Sequence, residues 1–307
     1  PPWKVLVADP LKDRETWRKI RRDRKAIGSS LAAACLGQAR MSPLEAYASI
    51  MELDPEADEL YEKAFIKRGM FMEPGILQWL CYEADLEFIP SPGLLECPGV
   101  PWLVATPDGI GRCKKTGKLF ALEVKKQDDS KRPEWSPEPP VPYQFQHDIA
   151  MLCAHLDEGY LAADFGRGEL HIVRRVRNDV LLEIGLEELK DWREAHLVPE
   201  IPPKITSSEG SMRIFKALHP MDNGQRVQFT SAAAEACAQF DEAQREIKAA
   251  EAKEAQAKAL IMQELGENTF GVLPDGSGFS FKHQVTNYKA QEARTVETRV
   301  LRRIKKV

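Results

Sequence analysis

The stretch TPDGIGRCKKTGKLFALEVKK, residues 106–126, decides how the rest of the chain is read. Asp108 sits in a turn, a hairpin rich in Gly and Lys follows, and an apolar strand then carries Glu123 and Lys125. Side chains alternate across a strand, so residues two apart share a face, and this Glu and Lys must either pair or serve a site. Two carboxylates converging at a strand end can hold a hard divalent cation such as Mg²⁺, which takes oxygen ligands and keeps waters for substrate. A Lys beside that ion can orient a water, assist its deprotonation or stabilise the charge of a phosphorane-like transition state. These are the parts needed for phosphodiester hydrolysis. The spacing alone is weak, because an exposed strand with a surface Glu–Lys pair produces it equally well.

At 307 residues and 43% hydrophobic, the chain is long enough for a sizeable core and one large or two modest domains. Lys+Arg 43 against Asp+Glu 47 gives a net charge of -4, which argues for no global nucleic-acid affinity but permits basic patches. Two exist: LKDRETWRKIRRDRK at 11–25, with eight basic and three acidic side chains, and ARTVETRVLRRIKKV at 293–307, with six and one. Either alone reads as a solvated face. The six cysteines are scattered and never form C-x-x-C, so neither a zinc site nor a disulfide framework is expected. Free thiols, no apolar run near the length of about 20 residues that a membrane span needs, and no signal-peptide pattern point to a cytoplasmic protein.

Along the chain, a basic helix and a small-residue helix flank a Gly-Ser-Ser break at 28–30, and a further helix starts at Ser42-Pro43. Residues 55–85 read as helical with a break or kink at Gly69 and Pro74. The period then changes. GLLEC, PWLVA and KLFALEVKK read as strands, PYQFQHDIAMLCAHL as a helix, GYLAADFG and ELHIVRRV as strands, and LEELKDWREAHL as a helix. That order predicts an α/β or α+β fold, a mixed central sheet flanked by helices. The Pro-rich LVPEIPPKI closes a first domain, 1–203. An extension at 204–307 then holds one amphipathic helix over 230–265, a hairpin with a Pro-Asp-Gly-Ser-Gly turn, and the basic tail. Phe240, Ala243, Ile247, Ala250, Ala257 and Ile261 line one face of that helix, with Glu254 interrupting it.

The D-(x)n-E-x-K arrangement resembles the PD-(D/E)xK nuclease superfamily, with Pro107-Asp108 matching its PD. The ordered segments IRRDRKAIGSSLAAACLG, RGMFMEP, TPDG, LEVKK and PYQFQHDIAML resemble the YqaJ-type viral recombinase exonucleases, the family of phage lambda exonuclease, over about residues 13 to 200. The resemblance implies a restriction-endonuclease-like core and a Mg²⁺-dependent exonuclease, with Mn²⁺ able to substitute, working 5′→3′ on double-stranded DNA ends for phage-type recombination. It implies metal ligands at Glu73, Asp108, Glu123 and the carbonyl of Val124, a catalytic lysine at Lys125, and amides at Gln144 and Gln146 for the scissile phosphate or the attacking water. Arg24 and Ser30 match its phosphate-binding motif, with Arg22 the alternative. It also implies a single-strand annealing partner and a ring-shaped homo-oligomer. An endonuclease of the same superfamily and a non-catalytic DNA-binding or scaffold module are the competing readings. No nucleophile elbow or Walker loop is present, and the six histidines do not cluster.

Overall fold

The computed structural model describes residues 3–57 and 64–285. Its contacts divide the chain into one compact unit, Pro1–Pro220, and a second beginning at Met221. This division falls later than the break expected after residue 203, because helix Glu209–Leu218 belongs to the first unit, with Ile214 buried in its core and Arg213 ion-paired to Asp54.

The first unit opens with β1 (Lys4–Val7), α1 (Arg14–Asp23), β2 (Ile27–Gly28), α2 (Ser29–Cys35) and α3 (Pro43–Ile50). Ser42 caps α3 through a full capping box with Glu45, as the Ser-Pro start predicts. Helix α4 (Ala64–Glu83) runs unbroken through Pro74, where a kink was expected. Beyond Pro74 its Ile76, Leu77, Leu80 and Cys81 are buried in one cluster, which holds the C-terminal half of the helix against the sheet.

The strands that follow are β3 (Leu86–Pro90), β4 (Leu94–Cys97), β5 (Val100–Ala105), β6 (Gly109–Cys113) and β7 (Leu119–Lys126). After α5 (Val141–Cys153) come β8 (Glu158–Asp164), β9 (Leu170–Val176), α6 (Asp179–Trp192) and α7 (Glu209–Leu218). Two sheets form where the sequence suggests one: β1-β4-β5-β2, and the site-bearing β3-β6-β7-β8-β9. The first recruits β1 and the two-residue β2, too short to show any period, from the nominally helical first third. In the second, β7 and β8 are parallel and every other pair is antiparallel. A parallel pair needs a crossover, and α5 supplies it, which lays that helix across the sheet. Gly159 makes the contact close: a Cβ there would fall 2.4 Å from the imidazole of His147 on α5.

The second unit holds α8 (Ser231–Leu265), capped by Thr230 and ended at Gly266, and the hairpin β10 (Phe270–Val272) with β11 (Gly278–Ser280). Asp275 in the hairpin turn accepts from Ser277, the turn chemistry expected of Pro-Asp-Gly-Ser-Gly. The basic tail 293–307 lies outside the described residues.

Candidate active site

Strand β7 is buried along most of its length, and Glu123 is fully enclosed in it. Lys125 stands on the same face and donates to Glu123 Oε1 at 2.5 Å. The neighbouring lysine of the Lys-Lys pair points the other way. Lys126 is ion-paired to Asp164 at 3.3 Å and donates to its carbonyl, so alternation on the strand selects which lysine faces the site.

Asp108 precedes β6, which pairs antiparallel with β7, and its Oδ2 accepts the backbone N–H of Val124 at 2.8 Å. The turn carboxylate is thereby fixed beside the strand that carries Glu123 and Lys125. Glu73, half-buried on α4, faces the same charges. Burial pushes its carboxyl above the usual range, the negative charge of Glu123 pushes it further, and Lys125 opposes both. Asp108 is raised well above its ordinary value, first by burial, then by Glu123 and Glu73 against Lys125 and the Val124 N–H. Burial would depress the Lys125 ammonium, but Glu123 and Asp108 together more than reverse this, so it is held firmly protonated. Its ammonium also lies 5.4 Å over the ring of Tyr143, whose hydroxyl accepts from Gln127.

The two glutamines separate. Gln146 donates to Glu123 Oε1 at 2.6 Å and so belongs with the carboxylates. Gln144 donates to the carbonyl of Pro139 at 2.6 Å, while its own side-chain and main-chain oxygens accept from Arg175. Arg175 is in turn bonded to the buried Asp148. Gln144 therefore anchors α5 instead of reaching the site. Two positions on a helix are about 200° apart, and that geometry puts the pair on opposite sides. His147 is buried with Nε2–H donating to Ala121, and burial lowers it to about 3, so it is neutral and structural.

Arg24 and Ser30 are not brought together. Arg24 lies just beyond α1 and pairs with Glu96 of β4, and Arg22 pairs with Glu52 at 3.3 Å. Ser30 instead lines a cavity of about 550 Å³ with Arg14, Arg18 and Arg21. The sequence signal was the spacing of those arginines, which puts them on one face of α1. Arg21 is buried and stacks 4.4 Å from the ring of Trp17.

Among the described residues, no three His, Cys, Asp or Glu side chains stand close enough to form a ready metal cage. The donor set nonetheless suits a hard divalent cation. Asp108 and Glu73 both feel the charge of Glu123, and Glu123 Oε2 is a buried oxygen with no hydrogen-bond partner.

Comparison with known proteins meets this geometry at the same segment. Residues 16–157 match the family described as YqaJ-like viral recombinase domain, a range that includes Glu73, Asp108, Glu123, Lys125 and Gln146. LHK-Exo, an alkaline exonuclease from Laribacter hongkongensis, aligns in two structures, one with dAMP, at 20% identity and TM-scores of 0.49 and 0.48, covering 61% of this chain and 94% of that one. A phage related exonuclease from Haemophilus somnus 129PT aligns at 11% identity and TM-score 0.40, covering 57% of this chain and 96% of that one. A search of curated proteins finds no match.

Proposed function

We propose that this YqaJ-like nuclease is a Mg²⁺-dependent exonuclease that digests double-stranded DNA from its ends in the 5′→3′ direction, leaving single strands for phage-type recombination. The observation that carries the chemistry is the grouping of Asp108, Glu123, Lys125 and Gln146 at the β6–β7 junction, with Glu73 feeling the charges of Glu123 and Lys125. Glu73, Asp108, Glu123 and the Val124 carbonyl would hold the cation. When bound, it supplies Lewis-acid polarisation of the phosphate and lowers the pKa of water.

The chain's own residues supply the rest. Lys125, beside the Glu123 and Asp108 carboxylates, orients the attacking water and neutralises charge developing on the phosphoryl oxygens. Gln146 exchanges its bond to Glu123 for one to the water or the scissile phosphate. Arg18 and Arg21 beside Ser30 take over the phosphate-binding role expected of Arg24, in a cavity large enough for a nucleotide end. Among the described residues no helix is long and apolar enough to cross a membrane, which suits a nuclease working in the cytoplasm. A single-strand annealing protein and a ring around the duplex remain the expected partners.

The test is linear duplex labelled at each end in turn, with Mg²⁺, with Mn²⁺ and with chelator, beside a closed circle. Stepwise loss from 5′ ends only, abolished by chelator, with the circle untouched, is the expected result. Cutting of the circle would make the protein an endonuclease, and no cutting of any substrate would leave it a binding module.

A further inference from the structure

Helix α8 is 35 residues long, and Leu265 at its last turn is its one buried residue, while Phe240 and Ile247 are 45% and 51% exposed. A lone helix gets little stability from propensity and normally buries an apolar stripe. Here the stripe repeats every seven residues: Phe240, Ile247, Glu254 and Ile261, each followed or preceded by an alanine in the series Ala236, Ala243, Ala250 and Ala257. An apolar seam kept on a period of 3.5 for this length is the pattern of a two-helix supercoil.

We propose that α8 docks on α8 of a second copy of this chain as an antiparallel coiled coil centred between Lys248 and Ala249. Side-chain size fixes the direction. In a parallel pair, Phe240 would face Phe240 and Glu254 would face Glu254, while the alanine layers between them stayed empty. In the antiparallel pair Phe240 meets Ala257, Ile247 meets Ala250, Glu254 meets Ala243 and Ile261 meets Ala236, one large and one small side chain in every layer. Charge agrees with size. Parallel helices would set Glu246 against Glu251 and Lys253 against Lys258, all like pairs, whereas the antiparallel register sets Glu246 against Lys253 on both edges of the dyad and Glu251 against Gln244. The one charge inside the seam is already neutralised within its own helix, where Lys258 bonds Glu254 at 2.9 Å.

The experiment uses the full chain with Cys113→Ser, so that a nitroxide reports from Cys237 on α8, the remaining cysteines being buried. At 1.5 Å per residue, the antiparallel pair places the two labels about 35 Å apart, and a parallel pair about 10 Å. A concentration-dependent distance near the longer value is expected; the shorter value overturns the proposal. So does the absence of any intermolecular distance, the result if residues 286–307 or another protein cover the stripe. In sedimentation, Lys253→Glu should weaken self-association about tenfold or more, and adding Glu246→Lys should restore it. Equal association of all three chains overturns the register. Nuclease rate, which neither position touches, checks that the variants are folded.

Discussion

Two of the chain's Glu–Lys ion pairs, on β7 and on α8, have the same composition and very different surroundings. On β7, Lys125 reaches Glu123 at 2.5 Å with the carboxylate fully buried and the ammonium 21% exposed; on α8, Lys258 reaches Glu254 at 2.9 Å with both about two-thirds exposed. The α8 pair shifts only its own two members, first by their hydrogen bond and then by their mutual charge, with desolvation opposing. The β7 pair shifts its neighbours as well, because Asp108 and Glu73 share its desolvated face. An ion pair gains chemical leverage when burial forces several like charges to share one cation. Spacing in the sequence does not distinguish the two cases.

Substitutions that break the buried pair should have the largest effects. Glu123→Gln or Lys125→Met should lower the rate of duplex hydrolysis by at least about 10²–10³-fold with DNA binding retained, as expected when an electrostatic contact to the transition state is removed. Single-turnover rates at saturating enzyme would measure this, and a wild-type rate in either variant would remove β7 from the mechanism. Lys125→Met alone also strands the buried Glu123, so it should unfold more readily than the double variant Glu123→Gln/Lys125→Met.

A second expectation follows from the raised carboxyls. Protons and metal compete for Asp108 and Glu73, so affinity for Mg²⁺ should climb with pH, by up to about tenfold per unit for each proton displaced, until both groups are ionised. Calorimetric titration across pH 5–9 reads this. For the metal-free protein the sign is opposite: a carboxyl raised on folding stabilises below its ordinary value near 4 and loses that contribution as pH rises through the folded value. Asp108→Asn should therefore be inactive yet melt no lower than wild type at pH 8 without metal. A steep loss of stability in that variant would show that the ionised Asp108 holds the fold together.

The glutamines give a smaller contrast. Gln146→Ala should slow hydrolysis by about tenfold or more through loss of one positioning contact. Gln144→Ala should leave the rate near wild type and lower the melting temperature, since it removes the side-chain bonds to the Pro139 carbonyl and from one Arg175 nitrogen. The reverse pattern would return Gln144 to the site. Smallest of all, Lys258→Gln on α8 should leave the hydrolysis rate unchanged, because an exposed pair contributes little.

The sequence by itself determined most of the elements that carry the candidate site. Apolar runs marked β4, β5, β7, β8 and β9, Ser42-Pro43 marked the start of α3, and Gly266 the end of α8. Alternation placed Glu123 and Lys125 on one strand face, because a period of two is a local property of the backbone. What only the tertiary structure decided is which groups meet across long separations. The two-residue β2 exists because β5 pairs with it, as the edge strand of the β1-β4-β5-β2 sheet. Gln146 and not Gln144 reaches Glu123 because the β7–α5–β8 crossover fixes the rotation of α5. Arg24 is taken by Glu96, seventy-two residues away, and Ser30 is left to the arginines on the cavity face of α1. Local sequence encodes period, caps and turns; partner choice among like residues is settled by which of them the packed sheets and helices bring within hydrogen-bond reach.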